Sequence, residues 1–301
     1  MLDGLTLDQM RVFVTVAEAG SFRAAAMRLS RAQSAISHAI GNLEAQLEVE
    51  LFDRAGDRPS LTPAGATLLS DIKALLLKVD GVRARVRGLG RGVELEIVLA
   101  VDPQFPLPVV ARALHTARAG YPTVAYRLLS RPLGASVDAL LEGECDLAIS
   151  GIDLAHPAIE QESLTTVRHA AVVSVDHPLA GLATGRLDVA LLADHLQIVV
   201  EDRSERTGDR DFGVVSPSKW QVADNLTKQA LLASGVGWGS LPLRMIERDL
   251  REGILVRLPV AAFAEGGETT VETYLARRAD RPLGPAASAF REALLASLPG
   301  G

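Results

Sequence analysis

The sequence predicts an α/β protein in two parts: a helical part of about 90 residues, then a longer part in which strands and helices alternate. Three observations support this prediction. Apolar residues recur at helical spacing up to about residue 90. Short runs rich in β-branched residues, beginning with "LEIVLAV" (95–101), then alternate with helical segments, which is typical of a mostly parallel sheet. Between the two parts lies "RGLGRG" (87–92), a glycine-rich joint.

The composition is that of an ordinary globular protein in a reducing compartment. The chain has 301 residues, 48% of them hydrophobic and 23% charged, which suffices for about two packed domains. Its single cysteine, Cys145, excludes an internal disulfide, and a buried, inert thiol is expected there. No stretch has the ~18 apolar residues of a membrane span, and no signal-peptide pattern is found at the N-terminus. We therefore expect a cytoplasmic protein without a membrane partner.

The charges are distributed unevenly along the chain. The net charge of −6 argues weakly against binding of nucleic acid. Residues 1–92, however, hold 12 Lys+Arg and 10 Asp+Glu, whereas residues 93–301 hold 19 and 27. This asymmetry coincides with the change of pattern near residue 90, which indicates two functional parts.

Three short helices are expected at the start of the chain. The first ends at Gly20, and Ser21 caps the second, "FRAAAMRL". Ser30 is expected to cap the third helix, which runs to about Leu47. Two helices joined by a tight turn form a helix-turn-helix, although ordinary bundle packing is an equal alternative on the pattern alone.

The third helix combines an apolar back with a polar first turn. In a helix-turn-helix, the N-terminal residues of the second helix meet base edges in the major groove of DNA. Glutamine pairs with adenine and arginine with guanine, whereas serine and histidine serve bases or phosphates. The candidates for DNA contact in this turn are Arg31, Gln33, Ser34, Ser37 and His38.

A short hairpin or wing is predicted after the third helix. The turn-forming stretch "AGDRPS" separates Leu51–Phe52 from Leu61–Thr62. Arg54 and Arg58 in this wing are expected to reach the DNA backbone or the minor groove.

A long helix is predicted from Pro63, with Thr62 as its N-cap, to about Arg87. An apolar face of this length predicts pairing with a second helix, and packing inside the domain is the alternative. The expected dimer contacts are Leu68, Leu69, Ile72, Leu75, Leu76 and Val79.

The strand ends of the second part mark where a ligand would bind, because ligands of open α/β sheets bind beyond the carboxyl ends of the strands. The residues expected to contact a ligand there are Asp102, Gln104, Phe105, Ser130, Arg131, Ser150, Gly151, Glu201, Asp224 and Asn225. For three of them another role is open: Asp224 suits a helix N-cap, Arg131 suits an exposed surface, and Glu201 belongs to the charged stretch "EDRSERTGDRD", which suits a solvated loop.

No motif of an enzyme or a metal site is found. The histidines lack metal-ligand spacing, and neither Gly-x-Ser-x-Gly nor Gly-x-x-x-x-Gly-Lys occurs. We therefore expect no catalytic activity, no metal and no cofactor.

Many positions of "FVTVAEAGSFRAAAMRLSRAQSAISHAIGNLEAQLEVELFDRAGDRPSLTPAG" (13–65) follow one pattern. They include Gly20, Ser21, Phe22, Gln33, Ala35, Ser37, Leu51, Phe52, Arg54, Leu61, Thr62, Pro63 and Gly65. At these residues the sequence resembles the LysR-type family of bacterial transcription regulators. The rest of the chain resembles the family's effector domain in order and to its end, as in "GVGWGSLP". Glu48 departs from the pattern, since many relatives have glycine there, and suits a turn that avoids positive φ.

The resemblance implies a sequence-specific DNA-binding transcription regulator that senses a small-molecule effector. Its partners would be double-stranded operator DNA of a promoter, the effector, and further copies of itself in a dimer or tetramer; RNA polymerase is an open further partner. The effector domain would have two subdomains and resemble periplasmic solute-binding proteins, with Gln104 and Ser150 at positions of the family's pocket. The alternative is a cytoplasmic solute-binding protein whose N-terminal helices serve only oligomerisation.

The expected boundaries follow from the same resemblance. They are a winged helix-turn-helix at 1–62, a dimerising linker helix at 63–88, a hinge at 89–92 and an effector domain at 93–301, with subdomain one at 93–161 and 268–301 and subdomain two at 162–267.

Overall fold

The computed structural model of the chain describes residues 4–54, 59–90, 92–153, 156–183, 185–207, 213–260 and 268–298. The chain forms two compact units, Met1–Arg91 and Gly92–Gly301. None of the described helices combines the length and the apolar character that crossing a membrane requires.

The first unit is a helical domain with a small hairpin. Its elements are α1 (Leu7–Ala19), α2 (Phe22–Leu29), α3 (Gln33–Leu47), β1 (Phe52–Asp53), β2 (Ser60–Leu61) and α4 (Pro63–Leu89). Phe52 of β1 lies edge-on to Phe13 and Phe22, with ring centres 5.5 and 5.6 Å apart. The hairpin is thereby packed onto α1 and α2, since edge-to-face aromatic pairs stabilise such contacts. The predicted helices and wing are confirmed.

Backbone geometry in the turn between α2 and α3 differs from the expected N-cap. Ser30 adopts the left-handed conformation with φ of 52° and ends α2, and Ala32 precedes α3 without a side-chain cap. The prediction that Ser30 caps α3 is therefore wrong. A tight turn needs one residue of left-handed backbone between the helices, and at that position the serine side chain does not reach the next helix.

Glu48 at the end of α3 is also left-handed, with φ of 54°, and its N–H donates to the carbonyl of Glu44. The expectation that this turn avoids positive φ is wrong. A non-glycine residue in this conformation costs about 1–2 kcal/mol, which explains why glycine suits the position.

The helix α4 begins as the sequence predicts. The hydroxyl of Thr62 accepts a hydrogen bond from the N–H of Gly65 at 3.0 Å and donates to the carbonyl of Glu50 at 2.7 Å. A side chain at Gly65 would overlap the carbonyl of Leu51, so this glycine lets the helix approach the hairpin. With 27 residues, α4 is about 40 Å long at 1.5 Å per residue.

The second unit alternates strands and helices. Its elements are β3 (Glu96–Val101), α5 (Leu107–Gly120), β4 (Ala125–Ser130), α6 (Ala135–Leu141), β5 (Leu147–Ser150), β6 (Ile159–Ser174), α7 (Val189–Ala193), β7 (Gln197–Val200), β8 (Lys219–Val222), α8 (Asn225–Ala233), β9 (Gly239–Pro242), α9 (Leu243–Arg251), β10 (Leu255–Arg257), β11 (Glu268–Arg278) and α10 (Pro285–Ala296).

The sheet of the second unit is mixed rather than mostly parallel. Among the described residues, seven strands join in the order β10-β6-β11-β5-β3-β4, with β9 also paired to β6. The strand β3 is parallel to β4 and β5, but β6 pairs antiparallel with β11, β9 and β10. The prediction of a mostly parallel sheet is therefore wrong, because β6 and β11 are long strands that pair with each other over most of their length.

Candidate functional site

The first turn of α3 presents polar side chains to solvent above a buried back. Gln33, Ser34 and His38 are exposed, and Ser37 is half-buried. The apolar side chains on the opposite face, Ile36, Ile40 and Leu43, are fully buried in the core of the unit. Because the back of α3 is held by the core, its polar turn projects outward, as contact with base edges requires. Asn42, which the sequence analysis did not propose, lies 3.2 Å from Nδ1 of His38 and extends this surface by one turn.

Arg31 is engaged in an ion pair on the surface of the same unit. Its guanidinium donates to both carboxylate oxygens of Asp8, at 2.7 and 2.9 Å. These hydrogen bonds lower the pKa of the Asp8 carboxyl. Arg31 is thus tied to the first turn of α1, and contact with DNA would compete with this ion pair.

Arg54 is tied to the body of the unit through Glu44. The carboxylate of Glu44 accepts hydrogen bonds from the N–H groups of Leu51 and Phe52, at 2.8 and 3.1 Å, and from Arg54 at 2.8 Å. The guanidinium of Arg54 also lies 5.2 Å from the ring centre of Phe22. These contacts fix the base of the wing to α2 and α3. Arg58 lies outside the described residues.

The predicted dimer contacts on α4 fall into two groups. Ile72 is buried, and Leu68, Leu69 and Leu76 pack against the core of the same unit. For these four residues the structure agrees with the alternative, packing inside the domain.

Leu75 is 42% exposed and Val79 is half-buried, and neither belongs to that core. Val82 and Val86, 56% and 63% exposed, continue their spacing of four, three and four residues. This exposed seam, defined by Leu75, Val79, Val82 and Val86, has the a/d spacing of a coiled coil. Val82 and Val86 were not proposed as dimer contacts from the sequence, although the same spacing would have found them.

The second unit contains a cavity of about 350 Å³. Its lining comes from strands, helices and loops of that unit: Asp102, Gln104, Pro132, Leu133, Gly151, His169, Gln197, Val199, Val200, Gly213, Asn225, Lys228, Trp238, Ser240, Thr269 and Val271. Four residues proposed from the sequence line it, namely Asp102, Gln104, Gly151 and Asn225.

A hydrogen-bonded cluster around Asp102 forms one wall of this cavity. The buried carboxylate accepts hydrogen bonds from the N–H of Gln104 and of Leu133, and from the amide of Gln104, each at 3.0 Å. Burial raises the pKa of Asp102, and hydrogen bonds, including one from the N–H of Gly151, act in the opposite direction. A side chain on Gly151 would overlap the amide of Gln104, so the cluster requires glycine there.

A second polar group in the lining was missed by the sequence analysis. Lys228 on α8 is only 7% exposed, and burial lowers the pKa of its ammonium to about 8. His169 on β6 is neutral at pH 7, because burial lowers its pKa to about 4. Within the described part of the chain, Nε2 of His169 and the hydroxyl of Ser240 have no hydrogen-bond partner. The signal for Lys228 was its place four residues before Leu232, on the buried face of α8.

Three residues that were predicted to contact a ligand have structural roles instead. Phe105 packs in the apolar core around β3, α5 and α10. The hydroxyl of Ser150 accepts from the N–H of Ile152 at 3.1 Å and donates to its carbonyl at 3.2 Å, within a local turn. Asp224 caps α8 by accepting from the N–H of Thr227 at 2.7 Å, as the alternative role held.

The remaining three predicted contacts lie at a separate surface depression. Ser130, Arg131 and Glu201 line it, away from the 350 Å³ cavity. Arg131 pairs there with Glu144 at 3.2 Å, and Glu201 with Arg203 at 2.7 Å.

Cys145 is buried, and burial raises the pKa of its thiol to about 12. At neutral pH this thiol is protonated and unreactive, as expected from the sequence. Within the described ranges, no group of three or more His, Cys, Asp or Glu side chains is placed to hold a metal ion.

Two family models match the chain. The model described as "LysR substrate binding domain" matches residues 90–299. The model described as "Bacterial regulatory helix-turn-helix protein, lysR family" matches residues 7–66.

Curated relatives match most of the chain. The HTH-type transcriptional activator AllS of Salmonella typhimurium is 35% identical over 255 residues, which cover 83% of this chain and 82% of that protein. The RuBisCO operon transcriptional regulator of Allochromatium vinosum is 28% identical over 299 residues, which cover 97% of this chain and 96% of that protein.

Solved structures share the fold over almost the whole length. Full-length LysG from Corynebacterium glutamicum with bound effector Arg aligns with a TM-score of 0.51 at 19% identity, covering 97% of this chain and 98% of that one. Full-length BenM aligns with a TM-score of 0.51 at 23% identity, covering 96% of this chain and 95% of that one.

Proposed function

The chain belongs to the LysR family of bacterial helix-turn-helix transcription regulators, and from this premise we propose which of its surfaces bind DNA, a second copy and an effector. The protein is a transcription regulator with a DNA-binding helix-turn-helix domain and an effector-binding domain. In our proposal, the first turn of α3 reads operator DNA, the exposed seam of α4 joins two copies, and the cavity of the second unit holds the effector. The protein would act by binding, without a catalytic step, in the cytoplasm.

The polar, exposed first turn of α3 is the observation that supports the DNA-binding surface. Gln33, Ser34 and His38 are free to meet base edges, and Ser37 lies at the edge of the same surface. We assign to Arg31 and Arg54 the role of holding the turn before α3 and the wing in place, because Asp8 and Glu44 already bind their guanidinium groups. Few basic side chains are then left for phosphates, so sequence readout carries more of the affinity than non-specific attraction does.

The exposed seam of α4 supports a two-fold dimer. A free apolar stripe with a/d spacing is covered when a second copy of the helix packs against it. Such a dimer would present two copies of α3 to half-sites one helical turn of DNA apart. Assembly of two dimers into a tetramer, and the domain boundaries at residues 62, 88 and 92, are parts of the same proposal.

Selection from a random pool of duplex DNA tests the DNA-binding surface without a known operator. The wild-type chain should enrich one sequence with two related half-sites. Gln33→Ala and Ser37→Ala should weaken binding to the enriched duplex by at least about tenfold, since a good base contact contributes about 1–3 kcal/mol. Gln46→Ala, at the other end of α3, is the matched control and should bind as the wild type does.

Two outcomes would contradict the proposal. Enrichment of no sequence by a folded wild-type dimer would favour the alternative of a solute-binding protein whose helices only oligomerise. Unchanged affinity in the Gln33 and Ser37 variants, with enrichment intact, would place the DNA contacts on another surface. Analytical ultracentrifugation and thermal melting of each variant show whether assembly and folding are preserved.

A further inference from the structure

We propose that the cavity of the second unit takes a small organic monoanion, a carboxylate, and that Lys228 binds its charged group. This inference rests on the proposed sensing function and names the chemical class of its ligand. It comes from a charged side chain that is buried with no counter-ion among the residues that the structure describes.

Lys228 is buried, and no described residue pairs with its ammonium. Its side chain is 7% exposed and belongs to the lining of the cavity. No carboxylate or carbonyl of the described residues accepts a hydrogen bond from it, and burial alone accounts for its lowered pKa of about 8. Removing an ammonium from water without a partner destabilises a protein, so such a group is retained where a ligand supplies the missing charge. At pH 7 most of this ammonium is still protonated and able to bind an anion.

The fold leaves room for this lysine. A side chain at Gly239 would approach Cε of Lys228 and the carbonyl of Ile198, each to 2.8 Å. The bare backbone of β9 therefore lets the aliphatic stem of Lys228 lie across the strand, with its end at the cavity.

Two neutral hydrogen-bonding groups lie in the lining of the same cavity. Nε2 of His169 and the hydroxyl of Ser240 are buried without partners in the described part of the chain. The charge of Lys228 contributes to the lowered pKa of His169, which places the two side chains within electrostatic reach of each other. An anion bound to Lys228 would accept hydrogen bonds from these groups and so satisfy buried polar atoms that lack a partner among the described residues.

Charge and size limit the ligand to a small monoanion. Among the described lining residues, Lys228 supplies the positive charge, His169 is neutral, and Asp102 adds a carboxylate. A phosphate dianion would face this carboxylate with only one cation, so a monocarboxylate fits better. The volume of about 350 Å³ holds roughly a dozen non-hydrogen atoms, at ~30 Å³ for each water-sized group. Trp238, Val199 and Val271 offer an apolar surface for the body of the ligand.

Matched pairs of acids and amides test this assignment on the full chain. The probes are straight-chain and branched monocarboxylates of two to eight carbons at up to 10 mM, each with its primary amide, in calorimetric titration. We expect at least one acid to bind more tightly than its amide by at least about 30-fold. Lys228→Met should weaken the binding of that acid by a similar factor and leave the affinity for the amide unchanged. Lys219→Met, an exposed lysine of the same unit, should bind like the wild type.

The melting temperature without ligand gives a second, independent readout. Methionine replaces a buried charge that has no partner among the described residues by an apolar chain of similar length, so Lys228→Met should melt several degrees higher than the wild type. A lower melting temperature would mean that the lysine already has a partner, and would overturn the assignment.

Three binding results would also overturn it: equal affinity for acid and amide, undiminished acid binding by Lys228→Met, or no binding by any acid of the panel. Each leaves the proposed function standing if the same protein preparation still enriches an operator from random DNA. Loss of that enrichment in the wild type would instead contradict the proposed function, whatever the cavity binds.

Discussion

Replacing Lys228 by methionine should remove a pH dependence from the stability of the second unit. Burial lowers the pKa of this lysine from 10.5 to about 8 in the folded chain. Between these two pH values the unfolded chain binds more protons than the folded one, so the free energy of unfolding rises with pH. The destabilisation is therefore complete below about pH 8 and fades toward pH 10.5. A gap of this size corresponds to a free energy on the order of 3 kcal/mol.

Tryptophan fluorescence during urea unfolding measures this effect in the second unit, because both tryptophans, Trp220 and Trp238, lie there. The wild type should gain stability between pH 8 and 10 relative to Lys228→Met, and the difference between the two should be largest at pH 7. His169, with a pKa of about 4, does not titrate in this range. Lys219→Met should follow the wild type. The reasoning would be refuted if the free energy of unfolding changed with pH equally in the wild type and in Lys228→Met.

Three further predictions concern the first unit. Glu48→Gly should raise the free energy of unfolding by about 0.5–1 kcal/mol, because glycine relieves the left-handed backbone at some entropic cost; a lower melting temperature would contradict it. Glu44→Ala should cost about 2–3 kcal/mol in chemical denaturation, since two backbone N–H groups and Arg54 lose their acceptor; an unchanged midpoint would show that water replaces the carboxylate. Val82→Asp should shift sedimentation toward monomer with little loss of monomer stability, and a dimer that persists would exclude the exposed seam as the interface.

The helices of the first unit follow from local sequence to a large extent. Capping residues, apolar spacing and turn formers lie within a few residues of one another, and Ser21, Thr62 and Pro63 mark helix starts where the structure has them. Ser30 and Glu48 show the limit of this reasoning. Both adopt a left-handed backbone because the next element, α3 after Ser30 and the hairpin after Glu48, must turn back onto the core, and residue type alone favours another conformation there.

The candidate ligand site was predictable only in part. Asp102, Gln104 and Gly151 follow strands β3 and β5, so the rule on strand ends found them. His169, Ser240 and Thr269 lie on β6, β9 and β11 themselves, where the sequence shows only alternation. Lys228 lies on a helix whose buried face was apparent, but a lone lysine on such a face gives no indication of an anion site.

The sequence by itself determined the family, the two-part organisation and the polar tip of α3, because these depend on residues close together along the chain. Tertiary structure alone decided which residues share the cavity, since its walls come from strands far apart in sequence that meet only through long-range pairing. It also decided which side chains of α4 are exposed and that Lys228 is buried with no counter-ion in the described part of the chain. Burial and partnership are properties of packed surfaces, and a local pattern does not specify which surfaces come together.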